Sequence, residues 1–178
     1  MTLKPTLFLD FDDVLVLNRG YGGYDVVAPN PPADLWTNLF HAPAVEVLRC
    51  VMVEFEPQIV VSTSWLRFLD RRAFLDLFAR TGLLDVAQSL HAAWEVLQPG
   101  HASRHDGIAG WLSKHHRGEP YVVLDDTLSG GSLVASDMDL DGRVILCDEN
   151  VGLLPTHLPA IRRALSVSPL ELKWTNQN

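Results

Sequence analysis

Cysteine is scarce: Cys50 and Cys147 are the only two in 178 residues. Two thiols make no disulfide framework, and because each sits in an apolar segment both are expected as reduced core thiols, as in a cytoplasmic protein. Basic residues are scarce as well. Fourteen Lys and Arg against 22 Asp and Glu leave a net charge of -8, which argues against adhesion to an extended duplex or an anionic membrane, since both need excess positive charge. Long apolar runs are missing too. The N-terminal run meets Asp10 after a few residues, too soon for a secretory segment or a membrane span, so a soluble, cytoplasmic protein is the expectation. Repeats, linkers and low-complexity tracts are also missing.

What remains has the composition of one packed domain, with 47% hydrophobic and 20% charged residues. Residues 1–168 are read as that domain and 169–178 as a polar C-terminal tail. Short apolar runs suited to buried strands stand at 7–10, 58–62, 121–126 and 143–148, with a weaker one around 90–96 inside an irregular stretch. Helical periodicity marks 43–55, 66–82, 104–116 and 154–165. Residues 18–36, rich in Gly, Pro and Asn, read as a turn-rich excursion. Strands alternating with helices predict an α/β, Rossmann-like, three-layer fold with a mostly parallel sheet.

In such a sheet ligands collect beyond the carboxyl ends of the strands, and there the chemistry-bearing residues cluster. The first strand ends in Asp10 and Asp12, the second in Ser62, Thr63 and Ser64, and the strand at 121–126 in Asp125 and Asp126. Arg104 opens the helix before that last strand. Carboxylates converging at one edge repel strongly at low effective dielectric. A divalent cation resolves this, and hard oxygen ligands with no matching Cys or His favour Mg2+, which also accepts phosphate oxygens.

These residues resemble the motifs of the haloacid dehalogenase (HAD) superfamily of phosphohydrolases. LFLDFDDVL resembles the first motif, IVVSTSW the second and VVLDD the fourth. Arg104 is the candidate for the third, and Lys114, near the end of the same helix, is the alternative. STSW followed by an apolar helix is further similar to small bacterial HAD domains related to those fused in RNA-repair proteins. The resemblance implies that Asp10 is a nucleophile forming an aspartyl-phosphate and that Asp12 acts as general acid and then base. It implies a phosphoryl group held by Thr63, with Ser62 as the register alternative, Ser64 nearby and Arg104 neutralising charge. It implies Mg2+ held by Asp10, the Asp12 carbonyl and Asp125, with Asp126 direct or through water. No segment is long enough for a large cap domain, so an open mouth is expected, suited to a phosphorylated small molecule, a nucleotide or a nucleic-acid end. A phosphate-binding module without catalysis is the alternative, and the intact pair of Asp10 and Asp12 favours the enzyme.

Other patterns have plainer readings. DMDLDGRVILCD (137–148) has calcium-loop spacing, but an apolar strand runs through it, so it reads as an acidic turn entering a strand. His101 and His105 have metal-like spacing, yet His101 precedes its helix and solvation is the simpler role. Tyr21, Tyr24 and Trp36 are read as rim or core packing, with base stacking as the functional alternative. Asp13, beside the site, has no role that the sequence supplies.

Overall fold

Five short apolar runs form one parallel sheet: β1 (Thr6–Leu9), β2 (Gln58–Val61), β3 (Leu90–Glu95), β4 (Tyr121–Asp126) and β5 (Val144–Cys147). The computed structural model describes residues 3–98 and 100–168, so the tail read at 169–178 lies outside the described residues. The spatial order is β3-β2-β1-β4-β5, which puts β1 at the centre between β2 and β4. A strand buried on both faces needs no polar alternation, and β1 and β4 are buried throughout.

Two cores flank the sheet. On one face Leu7, Leu9, Ile59, Val61, Val122 and Leu124 pack with α3 (Ala42–Phe55), α4 (Arg71–Arg80) and α8 (Leu158–Ser166). On the other, Phe8, Val60 and Val123 meet Ile108 and Trp111 of α6 (Arg104–His115), with Phe8 set edge-on to Trp111 at 5.1 Å between ring centroids. The architecture is therefore α/β and Rossmann-like, with helices on both sides. Between β1 and α3 stand only two one-turn helices, Gly23–Val26 and Leu35–Asn38, and no large cap.

Three expectations need correction. The helix read over 66–82 is broken: a 3-10 turn spans Ser64–Arg67, and α4 starts afresh at Arg71, where the Asp70 carboxylate accepts from the Ala73 amide at 2.8 Å. A capping aspartate outweighs an unbroken apolar pattern there. Cys147 is buried, but Cys50 is exposed, because α3 turns Ala44, Val47, Leu48, Val51 and Met52 inward and position 50 falls on the opposite face. The irregular stretch after residue 85 contains a short helix, Leu84–Gln88, as well as the strand expected around 90–96.

Asp13 also acquires a role. Its backbone is left-handed, with φ of 52°, and its carboxylate is buried. Oδ1 accepts from the Asn18 and Asn150 amides at 3.2 and 2.8 Å, and Oδ2 accepts from Asn18 Nδ2 at 2.5 Å. One side chain thus ties the turn after β1 to the start of the excursion and to the loop after β5. Gly152 completes the closure: at φ of 76°, a Cβ would stand 2.9 Å from Leu17 Cδ2 and 3.1 Å from the Val14 carbonyl. Asp13→Ala removes three hydrogen bonds from these part-buried loops and is expected to cost about 1–3 kcal/mol in urea unfolding, with Asp13→Asn intermediate.

Candidate active site

The sheet register aligns the strand ends. The Asp10 amide donates to the Leu124 carbonyl at 3.0 Å and the Ser62 amide to the Leu9 carbonyl at 2.9 Å, so Asp10, Ser62 and Asp125 sit side by side at the carboxyl edge. Side chains alternate along a strand. Asp10, Ser62 and Asp125 therefore share the side of Phe8, Val60 and Val123, which is the side α6 covers. Arg104, the first residue of α6, is placed over them by this parity. A capping box holds that helix start, with Ser103 Oγ accepting from the Asp106 amide at 3.1 Å and Asp106 accepting from the Ser103 amide at 3.1 Å.

Arg104 is 5% exposed and forms ion pairs with both central acids: Nη2 to Asp10 Oδ2 at 3.3 Å and Nε to Asp125 Oδ2 at 2.8 Å. Neither is a well-aligned hydrogen bond, and Asp10 Oδ1 and Oδ2, Asp125 Oδ2 and Arg104 Nε have no hydrogen bond of good geometry, the Thr63 hydroxyl and Phe11 amide acting on Asp10 only weakly. Lys114, the alternative cation, lies in the last turn of α6 and lines a surface cleft with Trp111 and His115. The structure brings Arg104, and not Lys114, to the acids.

Asp10, Asp125 and Asp126 each present an oxygen within 4.8 Å of the others, and all three residues are buried. Asp126 spends Oδ1 on the Leu128 and Ser129 amides, at 2.6 and 2.8 Å, and leaves Oδ2 buried and unbonded. Gly130 makes room behind this group, because a Cβ there would stand 3.1 Å from Asp125 Cβ and 2.8 Å from Leu146 Cδ2. Buried carboxylate oxygens without donors are costly, and a single guanidinium does not neutralise three of them. Orphaned hard oxygens converging within one ligand span fit a divalent cation of the Mg2+ kind.

The electrostatics agree. Burial, and next the charge of Asp125, push the Asp10 carboxyl well above the usual carboxylate range against the pull of Arg104. Burial likewise raises Asp125 to about 6, again opposed by Arg104.

Asp12 stands apart from this trio and is half-buried. Its Oδ1 and Oδ2 each lie 3.0 Å from Trp65 Nε1, which donates to them, and Ser64 Oγ donates to Oδ2 at 3.2 Å. Burial still raises its pKa despite these donors. Phe11, between the two acids, turns to the opposite core and packs edge-on against Phe40, Trp65, Phe74 and Phe78, with Trp65 at 5.1 Å. Trp65 is the residue whose role the sequence does not show: the indole that closes IVVSTSW reads as helix packing, and nothing in the pattern shows its N–H turned to a carboxylate. Ser64, expected near phosphate, is committed to Asp12. Thr63 Oγ1 accepts from the Trp65 amide at 3.5 Å, while Ser62 Oγ is buried and without a partner.

A family model described as the HAD domain in Swiss Army Knife RNA repair proteins matches residues 6–158, from β1 to the first residue of α8. The chain belongs to this HAD family. No curated protein and no solved structure matches it. The match spans every strand and all of the acids, so this HAD domain carries the general phosphohydrolase architecture of the superfamily, whose members generally use Mg2+. The other sequence patterns lie elsewhere: Asp137 and Asp139 fall in the first turn of a one-turn helix, Asp137–Leu140, capped by Ser136, and His101 is an exposed turn residue. Among the described residues no helix is long and apolar enough to cross a membrane.

A carboxyl whose folded pKa is raised binds protons that the unfolded chain, titrating near 3.8, has released. The contribution of these carboxyls to the folding stability of the metal-free HAD domain is therefore fully present below about pH 4 and is lost as pH rises through about 6. Thermal melts in a chelator should show Tm falling by several °C, on the order of 5, between pH 5 and pH 7.5, and 5 mM Mg2+ should restore it at the higher pH.

Proposed function

We propose that the protein is a Mg2+-dependent phosphomonoester hydrolase working through an aspartyl-phosphate on Asp10, with a phosphorylated nucleotide or nucleic-acid end as substrate. The observation that carries this reading is the division of labour between the two motif acids. Asp10 lies among the buried, orphaned oxygens, whereas the Asp12 carboxylate is held apart from them by Trp65 and Ser64. A binding module needs no such second acid. The family's association with RNA repair supports the nucleic-acid end.

Mg2+, when bound by Asp10, Asp125 and Asp126, would neutralise the acids and draw electron density from the phosphoryl oxygens. Asp10 Oδ then attacks phosphorus, and the bond from phosphorus to the leaving oxygen breaks as Asp12 gives that oxygen its proton. In the second half, Asp12 takes a proton from water attacking the same phosphorus. The Asp10–phosphorus bond breaks, and phosphate and the carboxylate are regenerated. Arg104 and the hydroxyls of the second strand end stabilise charge on the phosphoryl oxygens. Both alternatives are placed to donate: Ser62 shares the side of Asp10 and its hydroxyl has no partner, and the Thr63 hydroxyl acts on the Asp10 carboxyl while accepting from Trp65.

A raised carboxyl pKa suits one of the two roles and opposes the other. Asp12 must begin protonated, and burial works toward that. Asp10 must begin ionised, and against its burial Arg104 and the cation work together.

Asp10→Asn is expected to abolish Mg2+-dependent phosphate release from phosphorylated oligonucleotides and nucleotides; residual turnover above a hundredth of the unsubstituted rate would defeat the nucleophile assignment. Trp65→Phe keeps the ring but removes the donor that lowers the Asp12 pKa. It should reduce kcat by roughly 10- to 100-fold, and the alkaline limb of the kcat/KM profile should move to higher pH.

A further inference from the structure

Tyr24 is 83% exposed, an open aromatic ring on the excursion after β1. Its ring lies nearly parallel to Phe68, with centroids 5.6 Å apart and an angle of 15° between planes, which leaves its outer face to solvent. Phe68, itself 38% exposed, lies 6.3 Å from the Trp65 ring, and Trp65 Nε1 bonds Asp12. An unbroken series of aromatic contacts thus runs from the second motif acid to an open ring face.

The seat of this pair is closely built. Gly23, one residue before Tyr24, approaches so near that a Cβ would stand 2.6 Å from Phe68 Cζ and 2.9 Å from Trp65 Cε2. Only glycine lets the excursion helix rest against the two rings and set Tyr24 on Phe68. Burying a single face of one tyrosine adds little to the core, while an exposed ring linked through Phe68 and Trp65 to the second motif acid offers what a nucleobase stacks on.

A second feature leaves the same turn. Arg67, adjacent to Phe68, is exposed and has no ion pair or hydrogen bond among the described residues. It lines a cleft of about 200 Å3 with Thr63, Ser64, Gln98 and one acid, Glu95, directly beside the strand end that carries the phosphoryl-binding hydroxyls. A free guanidinium there suits a second phosphate, which a mononucleotide monophosphate lacks.

We propose that Tyr24 and Phe68 form a base-stacking subsite, and Arg67 a subsite for the next phosphate, that together hold a single-stranded nucleic-acid end with its terminal phosphate at Asp10. The inference rests on the phosphohydrolase reading and names its substrate class. With a net charge of -8, recognition by stacking and one phosphate contact suits a short single strand, whereas a duplex would need many cationic contacts.

Binding in the Asp10→Asn background tests this without turnover. Fluorescent single-stranded pentanucleotides bearing a 3′- or a 5′-terminal phosphate, with or without the base of the phosphorylated residue, are titrated with Mg2+-loaded protein and followed by anisotropy. The intact probe of one polarity should bind roughly 5- to 100-fold more tightly than its abasic counterpart. Tyr24→Ala should reduce that preference to within twofold, and Tyr24→Phe should keep it. Arg67→Gln should weaken the intact and abasic probes alike and lower the salt slope by about one. Equal binding of intact and abasic probes, a preference that survives Tyr24→Ala, or no binding at micromolar protein would overturn the subsite. Failure of the phosphohydrolase reading shows separately, as a chain with Asp10 intact that binds the intact probe selectively but releases no phosphate.

Discussion

Everything at the carboxyl edge of this sheet follows from one electrostatic constraint. Three buried carboxylates, Asp10, Asp125 and Asp126, share a space under 5 Å across with one guanidinium. Parallel pairing of β1 with β4 forces the first two together, since residues next to register partners Leu9 and Leu124 cannot diverge. Arg104 relieves part of the repulsion but leaves oxygens without donors. A fold that only sought stability would place apolar groups at these positions, because a buried ion pair seldom repays its desolvation. The acids make physical sense as a half-built coordination sphere, charged so that a cation and a phosphoryl group complete it.

The surrounding structure is arranged to hold that unfavourable cluster in place. Asp13, in a left-handed conformation, locks the turn after β1 to the loop after β5, so the two motif acids leave the strand in a fixed direction. Gly130 lets the backbone close over Asp125. The capping box at Ser103 and Asp106 sets where α6 begins and with it where Arg104 stands. Each device is local and inexpensive, and each acts on a group whose own burial is costly.

The strands, their buried character and the strand-end residues were legible because they are written in local pattern: apolar runs of four to six residues cut off by acids or hydroxyls. Arg104 could be given a role only through the resemblance, since a lone cation at a helix start carries no pattern of its own; its burial against Asp10 and Asp125 is a tertiary fact. Cys50 was misplaced because an apolar neighbourhood in sequence does not say which face of a helix a residue takes. Asp13 was opaque for a related reason, as two of its bonds reach no further than Asn18 but the third goes to Asn150.

The segment from Ser64 to Asp70 shows how much function a small misreading can hide. In a continuous helix over 66–82, Phe68 would be one more residue on a core-facing stripe, with Trp65 just ahead of its start. The actual chain makes a single 3-10 turn, stops, and restarts under the Asp70 cap. That interruption changes the geometry from helical to radial: Ser64 and Trp65 reach the Asp12 carboxylate, Arg67 faces a cleft beside the strand end, and Phe68 carries Tyr24. A regular helix would direct residues three and four apart to the same face and could not serve these separate directions. The break that propensity alone argues against is thus what allows one short turn to orient an acid and at the same time shape the ground on which a substrate would rest.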